Sequence, residues 1–174
     1  MQKDTKYTIF KTKWGYFGLA GTDSGLCRTQ LPGANREKTK VLLLKNIPTS
    51  QYDKTFLRTL QEQIAAYFEG AYVNLDRNIP LVLDGLGSFG ITVLTACREI
   101  KFGQRTTYGK LAKKIGRPAA SRAVGSVLAK NPLPLIIPCH RVIRSDGKMG
   151  GFSAPGGITF KKRLLEFERK ILGF

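Results

Sequence analysis

TYGKLAKKIGRPAASRAVGSVLAK, residues 107–130, is the stretch from which the organisation of this chain can be read. Thr107 is placed to cap a short helix carrying Leu111, Ala112 and Ile115, which Gly116-Arg117-Pro118 closes. A second helix is expected from Ala119 to Lys130. Two short helices joined by a tight Gly/Pro turn read as a helix-turn-helix. On the second helix, Ala120, Ala123, Val124, Val127 and Leu128 share one side and are expected to face a core. The other side carries Ser121, Arg122, Gly125, Ser126 and Ala129. Solvated helix faces ordinarily hold Glu and Lys, whereas this one is flat, with Arg122 as its single probe. Gly125 also carries a helix penalty of ~1 kcal/mol relative to alanine. Such a face lets helix backbone approach a bulky partner closely. Nucleic acid is the favoured partner, and packing against the N-terminal half is the alternative.

Upstream, Phe89–Ile100 forms another amphipathic helix candidate, and Asp84-Gly85-Leu86-Gly87-Ser88 reads as a linker. The division expected is therefore an N-terminal domain and linker over 1–87 and a second domain over 88–174. The first third reads as β-structure: Tyr7–Thr12, Tyr16–Gly21 and Leu26–Leu31, separated by Trp14-Gly15 and Thr22-Asp23-Ser24-Gly25 turns. A helix follows Asn35 and ends before Pro48. Another starts behind Asp53 as N-cap, carries Phe56, Leu57, Leu60, Ile64 and Phe68, and stops at Gly70. Ile79–Leu83 is a further strand candidate. The fold class expected is α/β: a small N-terminal α/β domain with a short antiparallel sheet, then a mainly helical, winged-helix-like domain with the helix-turn-helix.

Composition narrows the function. The chain has 174 residues, 42% of them hydrophobic and 24% charged, which excludes bulk disorder. No run approaches the ~18 apolar residues of a membrane helix, and Met1–Lys6 holds no signal-peptide core. The reading is a soluble intracellular protein, cytoplasmic or, in a eukaryote, nuclear. Net charge is +17 and unevenly spread. Residues 1–87 hold 12 Lys and Arg against 8 Asp and Glu, whereas residues 88–174 hold 17 against 4. So basic a half attracts a polyanion in a salt-dependent way, nucleic acid ahead of an anionic membrane surface. Cys27, Cys97 and Cys139 show no CxxC spacing, and with a single histidine, His140, neither a disulfide framework nor a metal site is expected. Cys27 and Cys97 read as buried strand and helix residues.

The chemistry concentrates downstream of Asn131-Pro132. An apolar run, Leu133 to Ile137, leads into Pro138-Cys139-His140-Arg141-Val142-Ile143. A cysteine beside the only histidine, in an electropositive setting, favours thiolate over thiol. Neighbouring side chains in extended chain point apart, so cooperation between Cys139 and His140 needs a turn or a bridging water.

These residues resemble the active-site signature of the O6-alkylguanine-DNA alkyltransferase family. The resemblance runs from about Phe89 to the end, through Thr107–Ala112, Ser121–Gly125, Gly150–Gly157 and Leu164-Leu165-Glu166-Phe167-Glu168. It implies irreversible transfer of an alkyl group from guanine O6 in duplex DNA to the protein's own cysteine, without a cofactor, by a monomer bound in the minor groove. Cys139 corresponds to the acceptor, activated through a water by His140, which Glu168 holds. Tyr108 corresponds to the proton donor for the departing purine and a substrate contact. Asn131 corresponds to the residue that braces the turn before the active-site strand. Arg122 corresponds to the residue filling the gap in the base stack, among DNA contacts that include Ser121, Ala123, Gly125 and Ser126. Carbonyls of Cys139 and Val142, the amide of Ser153, and Phe152 beside it would read the flipped guanine. Departures are a longer loop over 152–157, Leu94 where many members carry tryptophan, and no counterparts of the animal members' zinc ligands.

Glu168 can be tested on periodicity. In a helix from Phe160 to Leu172 it falls inside the apolar arc of Phe160, Leu164, Leu165, Phe167, Ile171 and Leu172. A carboxylate there needs a partner, either His140 or Arg141. If His140, the carboxylate is expected to raise the imidazole pKa and favour a Cys139 thiolate near neutral pH. Two other functions compete: a damage-recognition module with a structural Cys139, and a cysteine hydrolase.

Overall fold

The computed structural model describes residues 4–75 and 78–174; residues 1–3 of the opening Met1–Lys6 stretch lie outside them. The chain divides into two compact units, Met1–Leu83 and Asp84–Phe174.

In the first unit, β1 (Thr5–Thr12), β2 (Gly15–Thr22) and β3 (Gly25–Gly33) form antiparallel hairpins, and β4 (Ser50–Tyr52) pairs parallel to β1, giving the order β3-β2-β1-β4. Gly15 allows the first turn: at φ 127°, a Cβ there would lie 2.5 Å from the Gly33 carbonyl oxygen. Helix α1 (Arg36–Leu43) is capped by the Asn35 side chain, which accepts from the Lys38 amide. Leu43 packs with Tyr7, Ile9 and Ala20 on one face of the sheet.

Helix α2 (Arg58–Glu69) begins five residues beyond Asp53, the expected N-cap. Asp53 Oδ1 instead accepts from the amide and hydroxyl of Thr55, at 2.8 and 2.7 Å, and closes a local turn. The helix then starts behind Leu57, itself left-handed at φ 53°. Leu60, Ile64, Tyr67 and Phe68 are buried along it, and Gly70 (φ 105°) ends it. Ile79–Leu83, expected as a strand, forms only one bridge, Leu81 to Leu26. Pro80 contributes its carbonyl to the Leu26 amide but has no N–H with which to extend a ladder. Cys27 is half-buried rather than buried, its thiol donating to the Ala20 carbonyl.

The second unit holds α3 (Ser88–Arg98), α4 (Tyr108–Lys114), α5 (Ser121–Ala129) and α6 (Gly157–Ile171), with β5 (Thr106–Thr107) pairing parallel to β6 (Val142–Ile143). The Thr107 hydroxyl caps α4 by accepting from the Lys110 amide at 3.1 Å. Gly116, at φ 72°, ends α4: its amide bonds to Lys113 and that of Arg117 to Ala112, satisfying two terminal carbonyls. Helices α4 and α5 are thus the helix-turn-helix. Val124 and Leu128 are the buried residues of α5; Ala120 and Val127 are half-buried, and Ala123, expected to face a core, is exposed. An arc only two buried residues wide leaves Ala123 outside the contact.

Candidate active site

Cys139 emerges from a buried apolar run that the Asn131 side chain braces at both ends. The Asn131 amide donates to the Ile137 carbonyl at 2.9 Å, and its oxygen accepts from the Leu133 amide at 3.0 Å. Leu135 within that loop is left-handed, at φ 77°. The chain then makes one 3₁₀ turn, Cys139–Arg141, so Cys139 and His140 lie on a turn rather than on extended chain.

Behind that turn sits a charge cluster closed off from solvent. His140 and Glu168 are buried, and His140 Nε2 lies 2.9 Å from Glu168 Oε1. Glu168 also receives Nε and Nη2 of Arg141, the latter at 2.8 Å, and the Gly103 amide at 3.1 Å. Of the two partners expected for Glu168, both are present. Arg141 further donates to the Ile100 carbonyl at 2.7 Å and lies over the Phe102 ring. Burial pushes the Glu168 carboxyl up, but His140 and Arg141 outweigh it and hold the carboxyl well below its ordinary range. An ionised Glu168 only accepts, so Nε2 carries the His140 proton and Nδ1 is the bare acceptor. Nδ1 is buried and, among the described residues, bonded to no protein group.

The titration of this cluster differs from the sequence expectation in two places. Burial lowers the His140 pKa, outweighing the pull of Glu168. Burial likewise raises the Cys139 thiol, against the Asn131 hydrogen bond, the Lys161 charge and the local backbone amides. Cys139 is 7% exposed, so desolvation of the charged form wins. Both directions favour the uncharged thiol and the uncharged imidazole at rest.

Lys161 is the group that sequence reading missed. It is fully buried, donates to the Val142 carbonyl at 2.6 Å, reaches the Tyr108 hydroxyl at 3.4 Å and lies over the Tyr108 ring. With burial dominating, its pKa is lowered to about 8. Its signal was available: Lys161, Leu164, Leu165 and Glu168 follow helical spacing and are the four buried residues of α6. Phe160, Phe167 and Ile171 are only half-buried and Leu172 is exposed, so the arc is rotated from the one expected.

Tyr108 joins this interior to an open cleft of about 710 Å³, lined by Ser121, Arg122, Gly125, Ser126 and Ala129 of α5 and, from the segment after β6, by Arg144, Ser145, Gly150 and Gly151. Burial raises the Tyr108 phenol pKa. A Cβ at Gly125 would meet the Tyr108 ring at 3.7 Å, and one at Gly150 would meet its hydroxyl at 2.6 Å. The small residues of α5 therefore face the cleft. Ser153 is exposed and Phe152 half-buried, and neither lines it. Among the described residues, no group of three or more His, Cys, Asp or Glu could hold a metal ion, and no helix is long and apolar enough to cross a membrane.

Residues 88–170 match the family described as 6-O-methylguanine DNA methyltransferase, DNA binding domain, and residues 5–83 match its ribonuclease-like domain. The methylated-DNA–protein-cysteine methyltransferase of Methanosarcina acetivorans is 37% identical over 93% of this chain and 97% of its own length. That of Mycolicibacterium paratuberculosis is 33% identical over 95% and 93%. The crystal structure of Mycobacterium tuberculosis OGT in complex with DNA superimposes with a TM-score of 0.78 at 33% identity, covering 95% of this chain and 94% of that one.

Proposed function

The chain belongs to the 6-O-methylguanine DNA methyltransferase family, and from that premise we propose that Cys139 accepts the alkyl group from O6-alkylguanine flipped out of duplex DNA. The protein is a DNA-binding methylated-DNA–protein-cysteine methyltransferase acting in repair by direct reversal. The observation carrying the residue assignment is the bare Nδ1 of His140 on the Cys139 turn, its other nitrogen fixed by an ionised Glu168.

The chemistry is set by that arrangement. His140 Nδ1 takes the Cys139 proton, directly or through a water. The Sγ electron pair forms a bond to the alkyl carbon as the bond to O6 breaks, leaving its pair on the purine. Tyr108 protonates the purine at N3, the imidazolium is stabilised by Glu168, and the Tyr108 phenolate then recovers, through solvent, the proton that His140 took from Cys139. A thioether has no good leaving group, so each molecule turns over once. Because the resting thiol is neutral, proton removal accompanies attack. Lys161 holds the Val142 carbonyl, which would read the flipped base together with the Ser153 amide and Phe152 that the family resemblance assigns to it. Asn131 fixes the approach of the cysteine. Removing a base from the stack costs a few kcal/mol, and Arg122 fills the gap from α5. Ser121, Ala123, Gly125 and Ser126 let that helix lie close in the minor groove, where readout relies on backbone approach and shape. One acceptor per chain suits a monomer, working in the cytoplasm or, in a eukaryote, the nucleus; residues 88–174 carry both DNA binding and chemistry.

Incubation with duplex DNA carrying labelled O6-methylguanine tests this reading. One methyl per protein, mapped to Cys139, is expected; repeated turnover without retained label would establish a hydrolase, and binding without transfer a recognition module. Arg122→Ala is expected to slow duplex repair at least about tenfold more than reaction with free O6-benzylguanine, because only the duplex requires flipping. Tyr108→Phe should slow both, the phenol assisting purine departure wherever the base is bound. Comparing the rate constants on the two substrates checks both residues, and equal losses for Arg122→Ala would remove it from the stack.

A further inference from the structure

We infer that Arg144 is a second cation of the cleft, a ligand for a DNA backbone phosphate that Asp146 holds in position before DNA arrives. The inference rests on the reading of this cleft as the DNA-facing site.

Arg144 directly follows β6 and opens a tight hairpin. Its amide donates to the Lys148 carbonyl at 2.9 Å, and the Gly147 amide donates back to the Arg144 carbonyl at 3.1 Å. Gly147 takes the left-handed conformation, φ 79°, that the turn requires. Across the turn, Asp146 receives Arg144 Nε at 3.2 Å and Nη2 at 2.9 Å, while Oδ1 also accepts from the Lys148 amide. The two side chains are 57% and 41% exposed, a setting in which an ion pair adds little to stability. Its effect is on orientation. A guanidinium has five N–H donors in a rigid fork, and Asp146 engages two, leaving three free to face an anion.

The cleft supplies the need for that anion's partner. Of the described residues lining it, Arg122 and Arg144 are the only charged ones, and neither Asp nor Glu is among them. Arg122, once in the base stack, is not available to a phosphate. A nucleotide entering the cleft still brings its own diesters to the rim, and Arg144 is the remaining cation there. A planar fork already fixed by a carboxylate loses less side-chain freedom on gripping a phosphate than a loose lysine would.

Binding to undamaged duplex across a range of salt concentrations tests this for the wild type, Arg144→Gln and Arg144→Lys. Arg144→Gln keeps a polar group that can still bond Asp146. It is expected to weaken binding roughly three- to tenfold at about 0.1 M salt and to reduce the slope of log affinity against log salt by about 1. Arg144→Lys should keep the slope, since the charge remains, while binding more weakly than wild type. An unchanged slope in Arg144→Gln overturns the inference. So does a loss of affinity at unchanged slope that comes with an equal fall in the free O6-benzylguanine rate, which would mark Arg144 as a support of the hairpin only. A wild-type protein that fails to react with free O6-benzylguanine would instead strike the reading beneath the inference, and the salt slopes would still report on Arg144.

Discussion

Cys139→Ser is expected to abolish methyl transfer while duplex binding persists. A serine hydroxyl is a far poorer nucleophile than a sulfur whose proton His140 Nδ1 can take, and exchanging one sulfur for a smaller oxygen should leave the 3₁₀ turn and the cleft intact. Cys97→Ser and Cys27→Ser are expected to transfer one methyl each, as wild type does. Cys97 is buried in α3 with its thiol pKa pushed far up by burial, and Cys27 bonds to the Ala20 carbonyl. Intact mass after reaction with O6-methylguanine DNA, with binding measured in parallel, checks all three. Any methyl retained by Cys139→Ser, or lost through Cys97→Ser, would move the acceptor elsewhere.

Glu168→Gln should be the most damaging single change to stability outside the apolar cores. It leaves Arg141 buried without its counter-charge, and breaking a buried ion pair on one side costs about 3–5 kcal/mol. It also frees the His140 tautomer, so proton removal from Cys139 slows. The expected result is a lower denaturation midpoint and at least about a hundredfold slower reaction with free O6-benzylguanine. Glu168→Asp, which keeps the charge but shortens the reach, should recover part of the stability but little of the rate. A Glu168→Gln variant that is destabilised yet reacts at the wild-type rate would reduce Glu168 to a partner of Arg141.

Wild-type stability should depend on pH in the same region. The folded His140 pKa lies below that of the unfolded chain, so below about 6.5 the unfolded state binds the extra proton. Stability is expected to fall as pH drops through that value. Glu168 adds a second acid-side loss, because its folded pKa is depressed: its contribution is present above about 4.3 and declines as pH falls further. Denaturant midpoints from pH 8 to about pH 2 track both, and His140→Asn should flatten the upper limb.

Much of this protein was legible from residues close together in the chain. The Thr107 cap, the Gly116 stop, the hairpins at Gly15 and Gly25, and the small face of α5 are each written within a few positions, because caps, turns and helical faces depend on local backbone and spacing. The Pro138-Cys139-His140-Arg141 stretch pointed to an alkyltransferase only together with the motifs around it, from Thr107–Ala112 to Glu168, that carry the family resemblance. Asp53 misled because an Asx turn and an N-cap use the same side chain, and only the backbone of the next few residues, here Leu57 in the left-handed conformation, separates them. What tertiary structure alone decided is how charges balance in the site. Glu168 had two suitable partners in sequence and bonds both, since Arg141 and His140 leave the same turn toward one helix. The setting read as electropositive, yet Cys139 and His140 are held neutral, because desolvation depends on how tightly the surrounding elements close. Lys161, Tyr108 and Val142 meet across 53 and 19 residues of chain, and no spacing rule brings such distant groups together; packing does.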